Sequence, residues 1–336
     1  MRAIGVDLHK NMFQICILEG KKKKFKRYHL SDIESFKKTL LKDDLVALEA
    51  TGNSRYFAEQ IMGLVKEIKI VNPRKFKIIS KSVKKTDKID AELIAFFLSK
   101  GMLPEVRMGA EQYSQVKSLC NTRDKLVKLR TTLKNKIHNI LNSHGIISKR
   151  EDFSSKKGLD RVKDYNVTEL SRIELDVIIE QIKHLNEGIK KLEEEMIDKG
   201  KKLKGFENIT SIKGIGAKSG TILLSIIGNV EDFANEKKIA AYLGIVPKVE
   251  DSNEKIRHGR ITKRGSALGR STLVQCTLIS IRYSNYLRSY YDRLKNKKGS
   301  GKAIIATSRK LLGIIYKTLK EDWIFEDFPN FVIKQA

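Results

Sequence analysis

The sequence predicts a mixed α/β domain at the N-terminus, a helical middle region and a mainly helical C-terminal region. Apolar strand-like runs dominate the first segment, and apolar residues recur at helical spacing in the second. Glycine-punctuated helical segments make up most of the third. A length of 336 residues suits two or three domains. We place the domain boundaries where these patterns change, which gives residues 1–108, 109–204 and 205–336.

Strand and helix signals alternate in the N-terminal domain. Ser31 and Glu34 have the spacing of a capping box, which predicts a helix to about Leu41, and residues 87–100 have helical periodicity. Strands that precede alternating elements indicate a mixed sheet. Five segments are predicted to be strands: RAIGVDLHK up to Asp7, NMFQICILEG, Lys21 to His29, DLVALEATG up to Glu49, and EIKIV.

The middle region contains two long helical segments separated by the polar stretch Lys149 to Asn166. The first covers residues 112–146. Together the two segments predict an antiparallel coiled-coil hairpin or a dimerisation arm, with packing inside the chain as the alternative. The second has a heptad seam made of Leu175, Ile178, Ile182, Leu185, Ile189, Leu192 and Met196.

The segment ENITSIKGIGAKSGTILLSIIG opens the C-terminal region. Its spacing resembles a helix-hairpin-helix, in which Gly214 and Gly216 would let backbone N–H groups face a phosphate. Lys213 and Lys218 are therefore candidate nucleic-acid contacts. An ordinary tight turn is the alternative interpretation.

The net charge of +27 indicates a polyanionic partner. Residues 251–320 carry 17 basic and 3 acidic residues, spread among Gly, Ser and Tyr, which favours nucleic acid over a membrane surface. No apolar run has the ~18–20 residues that cross a bilayer, so we expect a cytoplasmic protein that does not bind membranes. Three widely spaced cysteines argue against disulfides and a cysteine zinc site.

Four carboxylates form the most informative acidic set. Asp7 and Glu49 end predicted strands, while Asp87 and Asp90 lie three residues apart at a predicted helix start. Strand ends of an α/β sheet often form one crevice, where such a set would bind Mg²⁺, or Mn²⁺, for phosphoryl transfer. Chance placement of some of the 40 acidic residues is the alternative.

Serines in the basic C-terminal segment are candidate nucleophiles, because cations there would hold the attacked phosphate. Spacing alone does not choose between Ser252, Ser266 and Ser271, and a loop serine beside phosphate-binding arginines is the simpler alternative. The neighbouring basic residues, which we predict to contact nucleic acid, are Lys255, Arg257, Arg260, Lys263, Arg264 and Arg270, with His258 among them.

The chain contains a series of motifs in the order GVDLHK, ALEATG, KTDKIDA, SIKGIGAKSGTILL, AAYLGIVPK and ITKRG. In these motifs and in their order, it resembles the DEDD transposases of the insertion-sequence one-ten family. The resemblance covers nearly the whole chain. It implies an RNase H-like (RuvC-like) first domain, with the DEDD quartet at Asp7, Glu49, Asp87 and Asp90. It also implies a nucleophilic serine five residues after Pro247, which is Ser252.

The resemblance further implies a recombinase that forms a phosphoserine link at a composite Mg²⁺ site and is guided by a noncoding bridge RNA. Donor and target DNA and a homodimer or homotetramer are the other expected partners. The chain departs from the family at Asn253, where glycine is common, and at Gly269-Arg270-Ser271, where Leu-Arg-Arg is usual, so only Arg270 carries over. A metal-dependent junction resolvase or nuclease and a non-catalytic nucleic-acid-binding protein are the alternatives.

Overall fold

The chain divides into two compact units, Met1–Met108 and Gly109–Ala336. A computed structural model describes residues 2–73, 75–76, 86–106, 108–252 and 255–326; for residues 250–252 and 255–258 it describes the backbone alone. The long helices of the predicted middle region share a core with the C-terminal helices, which joins residues on either side of the boundary at 204 and 205. The functional division of the second unit into two domains stays a prediction.

A five-stranded mixed sheet forms the centre of the first unit, which confirms the predicted α/β class. Its strand order is β3-β2-β1-β4-β5; β2 pairs antiparallel with both β1 and β3, whereas β1 pairs parallel with β4 and β4 pairs parallel with β5. All five predicted strands are confirmed. They are β1 (Ala3–Leu8), β2 (Met12–Glu19), β3 (Lys22–His29), β4 (Leu45–Glu49) and β5 (Glu67–Val71).

Helices cover both faces of this sheet. One face packs an aromatic cluster of Phe13, Tyr28, Phe36 and Phe57 beneath the helices Ile33–Lys37 and Ser54–Ile61. The other face packs against the helix Asp87–Ser99, whose predicted start is confirmed. The central strand β1 is therefore buried on both sides, and the Asp87–Ser99 helix lies over this strand, which carries Asp7.

The capping-box prediction for Ser31 and Glu34 is wrong. Backbone pairing continues through Leu30, whose N–H donates to the Asn11 carbonyl at 2.8 Å, and Leu30–Asp32 then form a 3-10 turn. The α-helix that follows begins at Ile33, has no side-chain cap and ends at Lys37 rather than near Leu41.

Two antiparallel helices, Glu111–Ser143 and Glu169–Lys201, form the predicted hairpin within one chain. Arg123 Nε donates to Glu193 at 2.7 Å, and Lys136 pairs with Glu174 at 2.8 Å, which fixes the antiparallel register. The stretch from 149 to 166 is not a simple polar link. It folds as the short helices Asp152–Ser154, Lys156–Asp160 and Arg161–Asp164, which bury Phe153, Leu159 and Val162 at the end of the hairpin.

The rest of the second unit is mainly helical, as predicted, but the basic segment after Pro247 is a β-hairpin. Strand β6 (Pro247–Ser252) pairs with β7 (Lys255–Ile261). Among the helices that the structure describes, none is long and apolar enough to cross a membrane. The remaining helices are Phe206–Ser211, Ala217–Ile227, Val230–Asp232, Glu236–Leu243, Ala267–Tyr283, Asn285–Lys298 and Ser300–Lys320.

Candidate active site

Strand register places two of the predicted carboxylates side by side. Val6 pairs with Leu48 on the parallel strands β1 and β4, so Asp7 and Glu49, one residue further, lie on adjacent strands and on the same face. Asp7 is 7% exposed, and Glu49 is half-buried at the end of β4. The sequence-based placement of both residues at strand ends is thus correct, although β1 continues one residue to Leu8.

The other two carboxylates occupy the first turn of the Asp87–Ser99 helix. Thr86 caps this helix, since its hydroxyl accepts a hydrogen bond from the Ile89 N–H at 3.4 Å. Asp87 is partly exposed, whereas Asp90 is buried with 7% exposure. Because the charges of both raise the pKa of Asp7, the two carboxylates lie within electrostatic reach of it.

Gly5 explains how this helix comes so close to the Asp7 strand. A Cβ at Gly5 would lie 2.1 Å from the Ala91 carbonyl oxygen and 2.4 Å from the Ala95 nitrogen. Only glycine allows such a helix-to-strand approach. Sequence reasoning missed this role, although a lone glycine inside an apolar strand is the signal for it.

We expect Gly5→Ala to destabilise the first unit by about 1–3 kcal/mol or more, because the new methyl group must push the helix from the strand. Thermal unfolding of the full chain measures this effect. Gly52→Ala is the control, since a Cβ at Gly52 meets nothing within 4 Å. Equal unfolding midpoints for the two variants would contradict the packing argument.

His9 is the residue of this site that sequence reasoning missed. Its Nε2 lies 3.2 Å from Asp7 Oδ2 and 3.5 Å from Asp87 Oδ1, so the imidazole bridges the strand and the helix. Its backbone is fixed on both sides, because its N–H donates to the Met12 carbonyl and its carbonyl accepts from Asn53 Nδ2, each at 2.9 Å. The signal was present in the sequence as a histidine two residues after the strand-end aspartate.

One ligand atom each from Asp7, His9 and Asp87 lies within 4.8 Å of the other two, a spacing that suits one metal ion. Burial is the main cause of the raised pKa of Asp7; the charges of Asp90 and Asp87 add to it, and His9 opposes it. A divalent cation would relieve both the burial cost and the repulsion. Carboxylate oxygens are the usual ligands of hard divalent cations, whereas an imidazole is more typical of transition-metal sites.

The raised pKa of Asp7 gives a pH-dependent prediction for the metal-free protein. The folded state holds the Asp7 proton more tightly than the unfolded chain, so this contribution to stability is present below the usual pKa of 3.8 and is lost as pH rises through the folded value. At neutral pH in EDTA we therefore expect Asp7→Asn to raise the unfolding midpoint. The increase in the unfolding midpoint should shrink as the pH falls towards 3.5–4. An Asp7→Asn variant that is less stable than wild type at every pH would contradict this prediction.

Ser252 is the last residue of β6, and its backbone lies opposite Lys255 across the hairpin. Arg260 is exposed further along β7. The side chains of Ser252, Lys255, Arg257 and His258, and all of Asn253, lie outside the described part of the chain.

Arg270 supports a loop beside the hairpin. Its Nη1 donates to the carbonyl oxygens of Leu243, Arg264 and Gly265 at 3.1–3.2 Å. A Cβ at Gly244, which has a φ of +69°, would lie 1.9 Å from the Arg264 carbonyl oxygen. The AAYLGIVPK and ITKRG motifs are therefore packed against each other, and Arg270 has a structural role beside its predicted contact with nucleic acid.

Lys263 and Arg264 lie exposed in this same loop. Lys263 has a φ of 53°, unusual for a residue other than glycine, and its N–H donates to the Gly244 carbonyl at 3.0 Å. The loop thus holds both cations in a defined backbone conformation.

The segment around Gly214 and Gly216 forms a turn between the helices Phe206–Ser211 and Ala217–Ile227. Gly214 has a packing role, because a Cβ there would lie 2.4 Å from the Ser280 hydroxyl oxygen. Lys218 pairs with Glu193 at 3.1 Å.

Two family models match separate parts of the chain. A model described as "Transposase", for the DEDD type of the IS110 family, matches residues 4–146, and one described as "Transposase IS116/IS110/IS902 family" matches residues 206–292. The first match contains the Asp7 site, and the second contains Ser252.

Similar proteins cover nearly the full length. The chain is 26% identical to the transposase for insertion sequence element IS1111A of Coxiella burnetii, over 95% of this chain and 90% of that protein. It is 25% identical to the transposase for IS1328 of Yersinia enterocolitica, over 96% and 98%. It is also 30% identical to the pilin gene-inverting protein of Moraxella lacunata, over 35% and 38%.

Proposed function

We propose, on the premise that this chain belongs to the IS110 family of DEDD transposases, that it cleaves and exchanges DNA strands through a covalent phosphoserine intermediate. The observation that carries the proposal is the cluster of Asp7, His9 and Asp87, which lies beside Glu49 and Asp90 in the part of the chain that matches the DEDD model. A relative named for gene inversion is consistent with recombination chemistry.

The first unit supplies the metal site in this proposal. Its strand order, with β1 central and β2 antiparallel to it, supports an RNase H-like (RuvC-like) assignment. Asp7, Glu49, Asp87 and Asp90 would hold Mg²⁺ or Mn²⁺, with His9 as a further ligand. The cation, when bound, would polarise a phosphate oxygen and stabilise charge on the leaving oxygen. By holding the cation, these side chains would keep the bound phosphate in one orientation.

Ser252 is the proposed nucleophile. Its Oγ attacks the DNA phosphorus, an Oγ–P bond forms, and the bond from phosphorus to the departing deoxyribose oxygen breaks. The serine proton passes to water, and the departing oxygen takes a proton. A hydroxyl of the second DNA segment then attacks the phosphoserine, which restores the serine and joins the strands.

The two alternative serines already have helix-supporting roles. Ser266 caps the helix Ala267–Tyr283 by accepting from the Gly269 N–H at 3.1 Å, and the Ser271 hydroxyl donates to the Leu268 carbonyl at 2.9 Å. Ser252 is instead the last residue of strand β6, within the basic hairpin itself. This position in a strand of the hairpin, rather than in a helix, supports Ser252.

A noncoding bridge RNA would choose the DNA sequences by base pairing, while the basic residues of the hairpin and loop position the phosphates. Lys213, Arg260, Lys263 and Arg264 are the described cations that we assign to this contact.

A homodimer or homotetramer would hold donor and target DNA together. Leu170, Ile173 and Val177 lie on one face of the helix Glu169–Lys201 and are 55–80% exposed, which supports a contact with another copy.

Strand exchange tests this proposal. The full chain, purified with RNA from its native locus, is incubated with DNA that carries the element junction and a target. We expect joined product only with a divalent cation, and loss of product after ribonuclease treatment. Product formation in EDTA would contradict the metal role, and full activity after complete RNA removal would contradict the RNA role.

A further inference from the structure

The edge strand β3 has a concentrated positive charge. It begins with the residues KKKFKR, and every residue of the strand except Tyr28 is exposed. Charged edge strands resist pairing with other chains, which is a sufficient role for some of these lysines. The distribution of its residues over the two faces of the sheet indicates a second role.

Register separates the residues of β3 into two rows. Cys16 pairs with Phe25, Gln14 pairs with Arg27, and Gln14 also pairs with Asp7 on β1. Phe25 and Arg27 therefore lie on the same face of the sheet as Asp7, whereas Lys24 lies on the opposite face.

Contacts with the Asp87–Ser99 helix agree with this assignment. Lys23 Nζ pairs with Glu92 at 2.5 Å, and the Arg27 guanidinium pairs with Asp87. Asp87 in turn is 3.5 Å from His9 Nε2, so the row on β3 is continuous with the cluster of Asp7, His9 and Asp87.

An open groove of about 830 Å³ lies between β3 and the start of that helix. Phe25, whose ring would normally be buried, is 38% exposed beside it. An exposed aromatic ring flanked by cations suits a single strand of nucleic acid, because bases stack on the ring while cations bind the phosphates. The groove is lined by Gln14, Phe25, Lys26, Arg27, Thr86, Asp87 and Lys88.

We propose that this groove binds an unpaired stretch of the DNA substrate and leads it to the Asp7 cluster. Phe25 stacks on a base, and Arg27 and Lys88 bind phosphates on either side of the groove. Arg27 pairs with Asp87 when no DNA is bound. When DNA enters the groove, one of its phosphates competes with the Asp87 carboxylate for the Arg27 guanidinium. The inference rests on the proposed function in taking DNA as the strand that reaches the carboxylates.

Phe25→Trp in the full chain reports stacking directly. The chain contains one other tryptophan, Trp323, so wild-type protein provides the background signal. We expect a short single-stranded oligodeoxynucleotide in EDTA to quench the variant's emission beyond the wild-type change. No additional quenching at saturating DNA would overturn the inference, as would quenching by RNA of the same sequence but not by DNA.

Affinity measurements test the cation contacts. Arg27→Ala and Lys24→Ala each remove one positive charge from the same strand, but on opposite faces. At fixed salt we expect Phe25→Ala and Arg27→Ala to weaken binding of the oligodeoxynucleotide at least about fivefold more than Lys24→Ala, measured by fluorescence anisotropy. Equal losses for the Arg27 and Lys24 variants would overturn the inference.

The outcome is separable from that of the proposed function, because both assays measure binding without cleavage. If the groove variants bind DNA as tightly as the Lys24 variant while wild-type protein captures DNA covalently, the groove is ruled out and the phosphoserine mechanism stands. If the groove variants lose DNA affinity as expected but wild-type protein captures no DNA covalently, the groove stands and the phosphoserine mechanism is ruled out.

Discussion

Ser252→Ala is expected to abolish covalent capture of DNA and to reduce strand exchange by at least about 10³-fold, because no other group replaces an attacking nucleophile. RNA binding should be unchanged, since the substitution removes one hydroxyl and no charge. Denaturing gel electrophoresis of a labelled DNA substrate measures the adduct, and a gel shift with the co-purified RNA measures the retained binding.

Ser271→Ala is the matched control for this experiment. It removes a serine hydroxyl from the same basic region, but one that donates to the Leu268 carbonyl on an exposed helix surface. We expect this variant to form the adduct at close to the wild-type level. An adduct that persists in Ser252→Ala and disappears in Ser271→Ala would transfer the nucleophile assignment to Ser271.

Asp7→Asn is expected to have an effect of similar size on cleavage. Loss of a carboxylate ligand removes several kcal/mol of transition-state stabilisation, which corresponds to about 10³-fold in rate. Binding of Mn²⁺, followed by electron paramagnetic resonance, should weaken in parallel. The same substitution should stabilise the metal-free fold, so lost activity cannot then be attributed to unfolding.

Asp43→Asn is the control for that variant. Asp43 is an exposed aspartate of the same unit that lies outside the candidate site, so its loss changes the net charge equally. We expect normal cleavage and normal Mn²⁺ binding. Normal Mg²⁺-dependent cleavage by both Asp7→Asn and Asp87→Asn would remove the metal-site assignment.

Much of the first unit could be predicted from sequence because its strands are short apolar runs with clear ends. Asp7 and Glu49 follow directly from those ends, and Thr86 before Asp87 fits an ordinary helix cap. Prediction failed at Ser31, where strand pairing as far as Leu30 prevents the chain from entering a capped helix.

The rest of the site depends on contacts between distant segments. Arg27 and Asp87 are 60 residues apart, and the ion pair between them requires the β2 and β3 register that no local pattern specifies. His9 differs, because its position two residues after Asp7 is visible in the sequence, but its approach to Asp87 depends on the close helix packing that Gly5 permits.

In the basic segment of the second unit, the sequence predicted a function but not the local structure. Its lysines and arginines predicted contact with nucleic acid, yet their polar character concealed the β-hairpin formed by β6 and β7. Arg270 was predicted from its charge and from the resemblance to the family, but its three carbonyl contacts depend on the packing of the loops around Gly244 and Gly265.

The central claim is the covalent serine link, and peptide mapping of the trapped adduct tests it most directly. Wild-type protein is denatured during the reaction, the DNA is digested with nuclease, and the protein is cleaved and analysed by mass spectrometry. The account predicts a nucleotide attached to the peptide that contains Ser252, formed only with a divalent cation present. A nucleotide on a different residue, or strand exchange that proceeds with no protein–DNA adduct, would contradict it.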